Sequence, residues 1–330
     1  MRVYSNYYVN KGAEHMRNDS VAASAQKILG QLRRVVVGKD QVLIWVLATI
    51  LARGHILLED IPGVGKTTMA LAFSKVLGLE SNRVQFTPDV LPSDVTGYSV
   101  LQQSTGEMVY QPGAVLCNLF LADELNRATS RTQSALLEAM EEGQVTVDGI
   151  SHPIPEPFVV IATQNPTGAA GTQLLPDSQM DRFTVRLSMG YPSPADEFSM
   201  VMDRQKGEPM AKLPQLLDRE TLIAMQDAVA STYMKEAVVR YIVDLICATR
   251  SHPDILRGAS PRATLAMAAM SKAIAQLQGR DFVIPADVQT IFVTTIAHRI
   301  LMTPAAEGRG KTAEQTLRSI LETVKPPSLI

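Results

Sequence analysis

The stretch Asp60-Ile61-Pro62-Gly63-Val64-Gly65-Lys66-Thr67 decides the fold, because these residue types at this spacing suit a phosphate group. The apolar run His55 to Glu59 before it predicts a strand, and Thr68 to Leu77 after it has helical spacing. Gly63 and Gly65 let backbone N–H groups converge on phosphate oxygens where a Cβ would intrude. The start of the following helix adds partial positive charge. Pro62, Gly63, Val64, Gly65, Lys66, Thr67 and Thr68 are therefore the candidate nucleotide-binding residues of the loop. Lys66 can reach the β- and γ-phosphates, and Thr67 can place its hydroxyl on Mg²⁺. Asp60 stands where the pattern G-x-x-x-x-G-K-[ST] begins with glycine. At a strand exit, an aspartate that tolerates the left-handed conformation is the expected substitute.

The second half of such a site should lie downstream, on neighbouring strands. Leu119 to Glu124 is an apolar run ending in two carboxylates, which are costly to bury unless a cation or a reaction needs them. Asp123 is placed to hold Mg²⁺ through water, and Glu124 to polarise an attacking water. A third run, Pro157 to Asn165, ends in polar amides, with Asn165 positioned to orient that water or sense the γ-phosphate.

Composition sets the bounds. With 330 residues the chain is long enough for about two domains, and 46% hydrophobic residues with a mean hydropathy of +0.05 fit a soluble, globular protein. A net charge of −2 argues against a constitutive nucleic-acid binder. Cys117 and Cys247 have neither metal-ligand spacing nor a disulfide pattern, which fits a reducing, cytoplasmic compartment. The longest apolar run, Val42 to Ala52, falls well short of the ~20 residues of a membrane-spanning helix and reads as a buried one.

Residues 1–20, rich in Tyr and Asn and without an apolar signal core, read as a disordered arm, and Met16 offers an alternative start. From 21 to 191 short apolar strands alternate with helices, the pattern of a parallel sheet covered on both faces. Tyr191-Pro192-Ser193-Pro194 breaks that pattern, and residues 192–330 carry almost only helical periodicity, an all-helical lid. Two hairpin insertions interrupt the core, at about 86–111 with a turn near Ser104 to Gly106, and at 143–157 with a turn at Asp148-Gly149.

The order of these parts resembles an AAA+ ATPase of the clade with a helix-2 insertion. Ala122-Asp-Glu-Leu-Asn-Arg-Ala128, Thr132 to Glu142 and Ala162-Thr-Gln-Asn-Pro166 resemble the MoxR group within that clade, from about Val35 onward. A departure is Arg131, where many relatives carry lysine. The resemblance implies that Asp181-Arg182-Phe183 supplies an arginine finger to a neighbouring subunit. It implies further that Ser260-Pro261-Arg262 is a sensor-2 motif at the start of a lid helix, in cis or in trans. Val37 and Gly38 match the segment that lines the adenine pocket.

The function so implied is ATP hydrolysis with Mg²⁺ at the interfaces of a homo-oligomeric ring, usually of six. Lys66, Thr67 and Asp123 hold MgATP, Glu124 activates water, Asn165 orients it, and Arg182 arrives from the next protomer. Relatives of this kind act as chaperone-like remodellers in complex maturation or metal-cofactor insertion, with partners bearing a von Willebrand factor A domain. A DNA-translocating motor is the runner-up, but the hairpin tips carry no Lys or Arg, so no nucleic-acid partner is expected. A nucleotide-binding scaffold without significant turnover is the non-enzyme alternative. The hairpins are expected to meet a protein client or adaptor, with Val145 and Val147 on the contact surface.

Overall fold

The computed structural model describes residues 20–61, 63–165, 175–205 and 207–328. The expected arm up to residue 19, Pro62 of the phosphate loop and Pro166 at the end of the Ala162 string lie outside the described residues.

Two helices, α1 (Val21–Leu32) and α2 (Asp40–Leu51), lead into β1 (Ile56–Glu59), and α3 (Lys66–Leu77) follows the phosphate loop. Then come β2 (Ser81–Gln85), α4 (Pro92–Thr96), the hairpin β3 (Gly97–Leu101) and β4 (Met108–Pro112), and β5 (Leu119–Asp123). Helix α5 (Ser130–Glu142) precedes the second hairpin, β6 (Gln144–Val147) and β7 (Ile150–Pro153). The core ends with β8 (Val159–Gln164), α6 (Asp177–Met180) and β9 (Val185–Leu187).

Five of these strands form one parallel sheet in the order β2-β5-β8-β1-β9. β5 and β8 are buried along their whole length, which is why they read as unbroken apolar runs rather than as alternation. The alternation appears in which layer each residue joins. Ile56, Leu58, Leu121 and Ile161 pack against α1, α2 and α3, whereas Leu57, Phe120, Ala122, Val160 and Ala162 pack against α5. Helices thus cover both faces, and the strand C-termini open at one edge, where loops after β1, β5 and β8 come together.

The lid comprises α7 (Pro194–Gln205), α8 (Arg219–Ala230), α9 (Glu236–Ser251), α10 (Pro261–Leu277), α11 (Pro285–Ile296), α12 (Pro304–Gly308) and α13 (Ala313–Thr323). Pro261 and Pro285 open their helices, where the missing N–H has no intrahelical partner to lose. One feature is added to the helical reading: β10 (Ile255–Arg257) and β11 (Leu301–Met302) pair as a short antiparallel ribbon.

The two hairpins stand apart from the sheet, yet they touch each other. Tyr110 of β4 stacks on His152 of β7 with ring centroids 3.7 Å apart, and the Tyr110 hydroxyl donates to Thr96 O at 2.5 Å. Asp148 and Gly149 turn the second hairpin with φ of 51° and 78°, both left-handed as a type I′ turn requires. The expected contact role of Val145 does not hold. Val145 is 3% exposed and packs in the core layer with Leu136 and Met140, because its side of β6 faces α5 rather than solvent. The exposed apolar residues are instead Tyr98, Val100, Leu101, Met108 and Val109 on the first hairpin and Ile150 on the second.

Candidate functional site

The phosphate loop begins where β1 ends. Gly63 and Gly65 have φ of 87° and 94°, a conformation that side chains rarely adopt, and α3 starts at the next residue, Lys66. The first N–H groups of α3 therefore have no helical partner and face the loop. Asp60 is not left-handed as expected. Among the described residues only Arg53, Glu124 and Asp148 combine a side chain with positive φ. Asp60 stands there for its carboxylate, which accepts hydrogen bonds from Ser188 Oγ and from the Met189 and Gly190 N–H groups.

Lys66 is buried, and its ammonium donates to Asp60 O at 2.6 Å and to Asn165 Oδ1 at 3.3 Å. Burial pulls its pKa down, while the nearby Asp60, Asp123 and Glu124 carboxylates oppose that shift. Thr67 Oγ1 donates to Asp123 Oδ2 at 3.3 Å, so the loop hydroxyl and the strand carboxylate converge. Asp123 also accepts from Thr163 Oγ1 at 2.7 Å and from the Arg83 guanidinium at 2.8 Å. Glu124 leaves β5 in the left-handed region with φ 56°, a strained choice for a non-glycine residue, and its N–H donates to Thr163 Oγ1 at 2.8 Å. The turn aims its carboxylate at Asn165, whose Nδ2 donates to Oε1 at 3.2 Å, while Arg127 pairs with Oε2 at 2.8 Å.

Five of the candidates read from sequence, Lys66, Thr67, Asp123, Glu124 and Asn165, thus form one connected network. Beside it lies a cleft lined by Val37, Gly63, Val64, Gly65, Thr68 and Met189. Gly38 serves differently: a Cβ there would come within 2.2 Å of the Asp196 carboxylate, so its lack of a side chain admits the first turn of α7.

Arg182 and Arg262 are brought to each other rather than to this network. Arg182 Nε lies 3.1 Å from Glu141 Oε2, and Arg262 pairs with the same carboxylate, in the last turn of α5. Asp181 beside them accepts from Arg299 at 2.7 Å and from Ser260 Oγ at 2.8 Å, linking the lid to the segment that carries Arg182. Two histidines, the half-buried His55 and the buried His298, hold the backbone here. His55 Nδ1 accepts the Val160 N–H at 3.0 Å, so Nε2 carries the proton that faces Met140 O at 3.2 Å. His298 Nε2 donates to Phe183 O at 2.9 Å. Burial pushes His55 down to about 4, and burial with the Arg299 cation pushes His298 well below its usual value.

Sequence reading missed Arg83, Arg127, Thr163 and Glu141. Arg127 lies within the Ala122–Ala128 string, three residues after Glu124, a spacing that signals a local pair. Arg83 and Thr163 become neighbours of Asp123 only through strand order, and Glu141 meets its arginines only through the chain's return after β8.

A parallel sheet with a glycine-rich loop, a carboxylate pair and a polar strand end around one point defines the class of P-loop nucleotide-binding proteins. The profile described as "ATPase family associated with various cellular activities (AAA)" matches residues 55–185, and that of the AAA lid domain matches 247–320. "Uncharacterized protein YeaC" of Bacillus subtilis is 45% identical over 91% of this chain and 94% of its own length. "Chaperone MoxR1" of Mycobacterium tuberculosis is 37% identical over 92% of this chain and 82% of its own. A crystal structure of an ATPase candidate from Cytophaga hutchinsonii superposes with a TM-score of 0.87 at 32% identity, covering 97% of this chain and 98% of that one. The chain belongs to the MoxR family of AAA+ ATPases.

Proposed function

We propose that this protein hydrolyses ATP in a homo-oligomeric ring, with six subunits as the expected number, and uses the work to remodel protein complexes. The observation that carries the reading is the single network joining Lys66, Thr67, Asp123, Glu124 and Asn165. Lys66 and the α3 N–H groups bind the phosphates, and the cleft beside Val37 takes the base. Thr67 and Asp123 offer hard oxygen donors 3.3 Å apart, a set that suits Mg²⁺, which when bound supplies charge neutralisation across the phosphates. Glu124 takes the proton of the attacking water, and Asn165 holds both Glu124 and Lys66 in register for it. Arg182 reaches the γ-phosphate of the next protomer, and Arg262 contributes a second guanidinium in cis or in trans.

The remodelling role is supported by the relative named as a chaperone and by the apolar side chains that the hairpins expose. A client or an adaptor with a von Willebrand factor A domain would dock there, in maturation or metal-cofactor insertion. Cytoplasmic residence fits the reading; among the described residues no helix is long and apolar enough to cross a membrane. The test is Glu124→Gln, for which turnover should fall by roughly 10²–10⁴ while nucleotide affinity holds. Unchanged hydrolysis would refute the assignment. Micromolar binding to DNA at physiological salt, with a steep salt slope and DNA-stimulated hydrolysis, would replace the remodeller by a DNA motor.

A further inference from the structure

Asp60 occupies the position that opens the phosphate loop, and the residue is 6% exposed. A carboxylate so buried needs donors, and all of these come from three successive residues between β9 and α7. Ser188 Oγ donates to Oδ1 at 3.0 Å, the Gly190 N–H lies 3.2 and 3.3 Å from the two oxygens, and the Met189 N–H donates to Oδ2. On its other side, Asp60 offers its backbone oxygen to Lys66 Nζ at 2.6 Å. The residue therefore touches both the phosphate-binding lysine and a strap, residues 188–191, that continues into the cleft wall at Met189 and Pro192. The far end of the strap is tied as well. Lys39 Nζ donates to Tyr191 O at 2.8 Å, and Asp196 of α7 fills the space that Gly38 leaves.

We infer that Asp60 is a positioning residue that couples occupancy of the phosphate cradle to the strap and the first turn of α7. Lys66 has three N–H donors, and a phosphate oxygen competes with Asp60 O for them as a charge-assisted acceptor. Binding thus alters the bond on one side of Asp60 while its carboxylate keeps hold of the strap on the other. Glycine, the usual residue of the pattern, would leave the Met189 and Gly190 N–H groups without their acceptor and the strap without its link. A single residue in this way joins the loop that binds phosphate to the strap that leads into α7. The inference rests on Lys66 as a phosphate ligand.

The test is amide hydrogen exchange on the full chain, with and without the non-hydrolysable analogue adenylyl imidodiphosphate, in wild type, Asp60→Gly and Ser188→Ala. In wild type the analogue should slow exchange across 188–205 by about tenfold, the scale of roughly one net hydrogen bond. Asp60→Gly should still bind the analogue, with fast exchange in 188–191 and no slowing across 188–205. Ser188→Ala, which removes one donor and leaves the loop backbone alone, should show part of that loss even if Asp60→Gly folds poorly. Equal slowing of 188–205 in wild type and both variants would overturn the inference. Failure of wild type to bind the analogue, or equal binding by Lys66→Ala, would instead overturn the phosphate-site reading beneath it.

Discussion

Two glutamates of the core hold arginines, and their surroundings differ. Glu124 sits in a network that includes Lys66 through Asn165, with Thr67 and Asp123 close by, so in the proposed function one chain supplies cradle, metal-binding oxygens and base. Glu141 holds Arg182 and Arg262, two cations aimed at an anion, with only a glutamate of the same chain between them. The carboxylates of the first cluster already engage cations of their own, Arg127 and Arg83, whereas the second gathers two arginines on one carboxylate away from the phosphate loop. In the proposed ring a heterologous contact would bring these two arginines to the phosphate loop of a neighbour, and it would be lost in an isolated subunit.

The sharpest way to break that comparison is Arg182→Ala, which should lower turnover by about 10³–10⁵ while leaving nucleotide affinity intact. Mixed with Lys66→Ala subunits, it should regain part of the activity, since some interfaces then hold both intact halves. Absence of rescue in rings shown by native mass to be mixed would count against action in trans.

Acid offers a second test, because these two histidines brace the Glu141 end. His55 bonds the backbone of Met140, next to Glu141, and His298 that of Phe183, next to Arg182. Both are depressed in the fold, so below pH 6.5 the unfolded chain takes up protons that the native chain refuses. Stability is then complete above about 6.5 and falls as pH drops. The slope is about 1.4 kcal/mol per pH unit for each histidine, and for His55 it persists down to about 4. Denaturant titrations at pH 7.5, 6.5 and 5.5 should show this slope, and His55→Asn should roughly halve it. A flat profile would mean that these histidines are not held neutral.

A smaller effect separates core from surface within the hairpins. Val145→Ser should cost about 2–3 kcal/mol, through lost packing and a buried hydroxyl. Val100→Ser and Met108→Ser should each change stability by less than about 0.5 kcal/mol and instead weaken coupling to a client. Thermal melts beside client-stimulated hydrolysis would decide this, and equal melting losses at all three positions would erase the distinction.

These tests divide along what the sequence made legible. The phosphate loop, the Asp123–Glu124 strand end and Asn165 were readable because each sits at a strand end whose apolar run is continuous, and their chemistry is local. The burial of Val145 was not, since both sides of a short hairpin alternate alike and only the packing of β6 on α5 chooses between them. Asp60 escapes sequence reading for a related reason: the loop pattern points to backbone freedom at this position, whereas its carboxylate is bound by residues more than a hundred positions downstream. Glu141 lay inside a quoted string with nothing to mark it, because its two arginines arrive from distant segments.

The stacked rings of Tyr110 and His152 have a consequence for exchanging parts among relatives. Each hairpin brings one face of the stack, and β4 and β7 lie on either side of the Asp123–Glu124 strand in the chain. A graft of either hairpin alone would carry an unmatched ring into its new host. Chimeras built to swap partner preference should therefore move residues 97–112 and 144–153 together, as one inheritable unit written in two places.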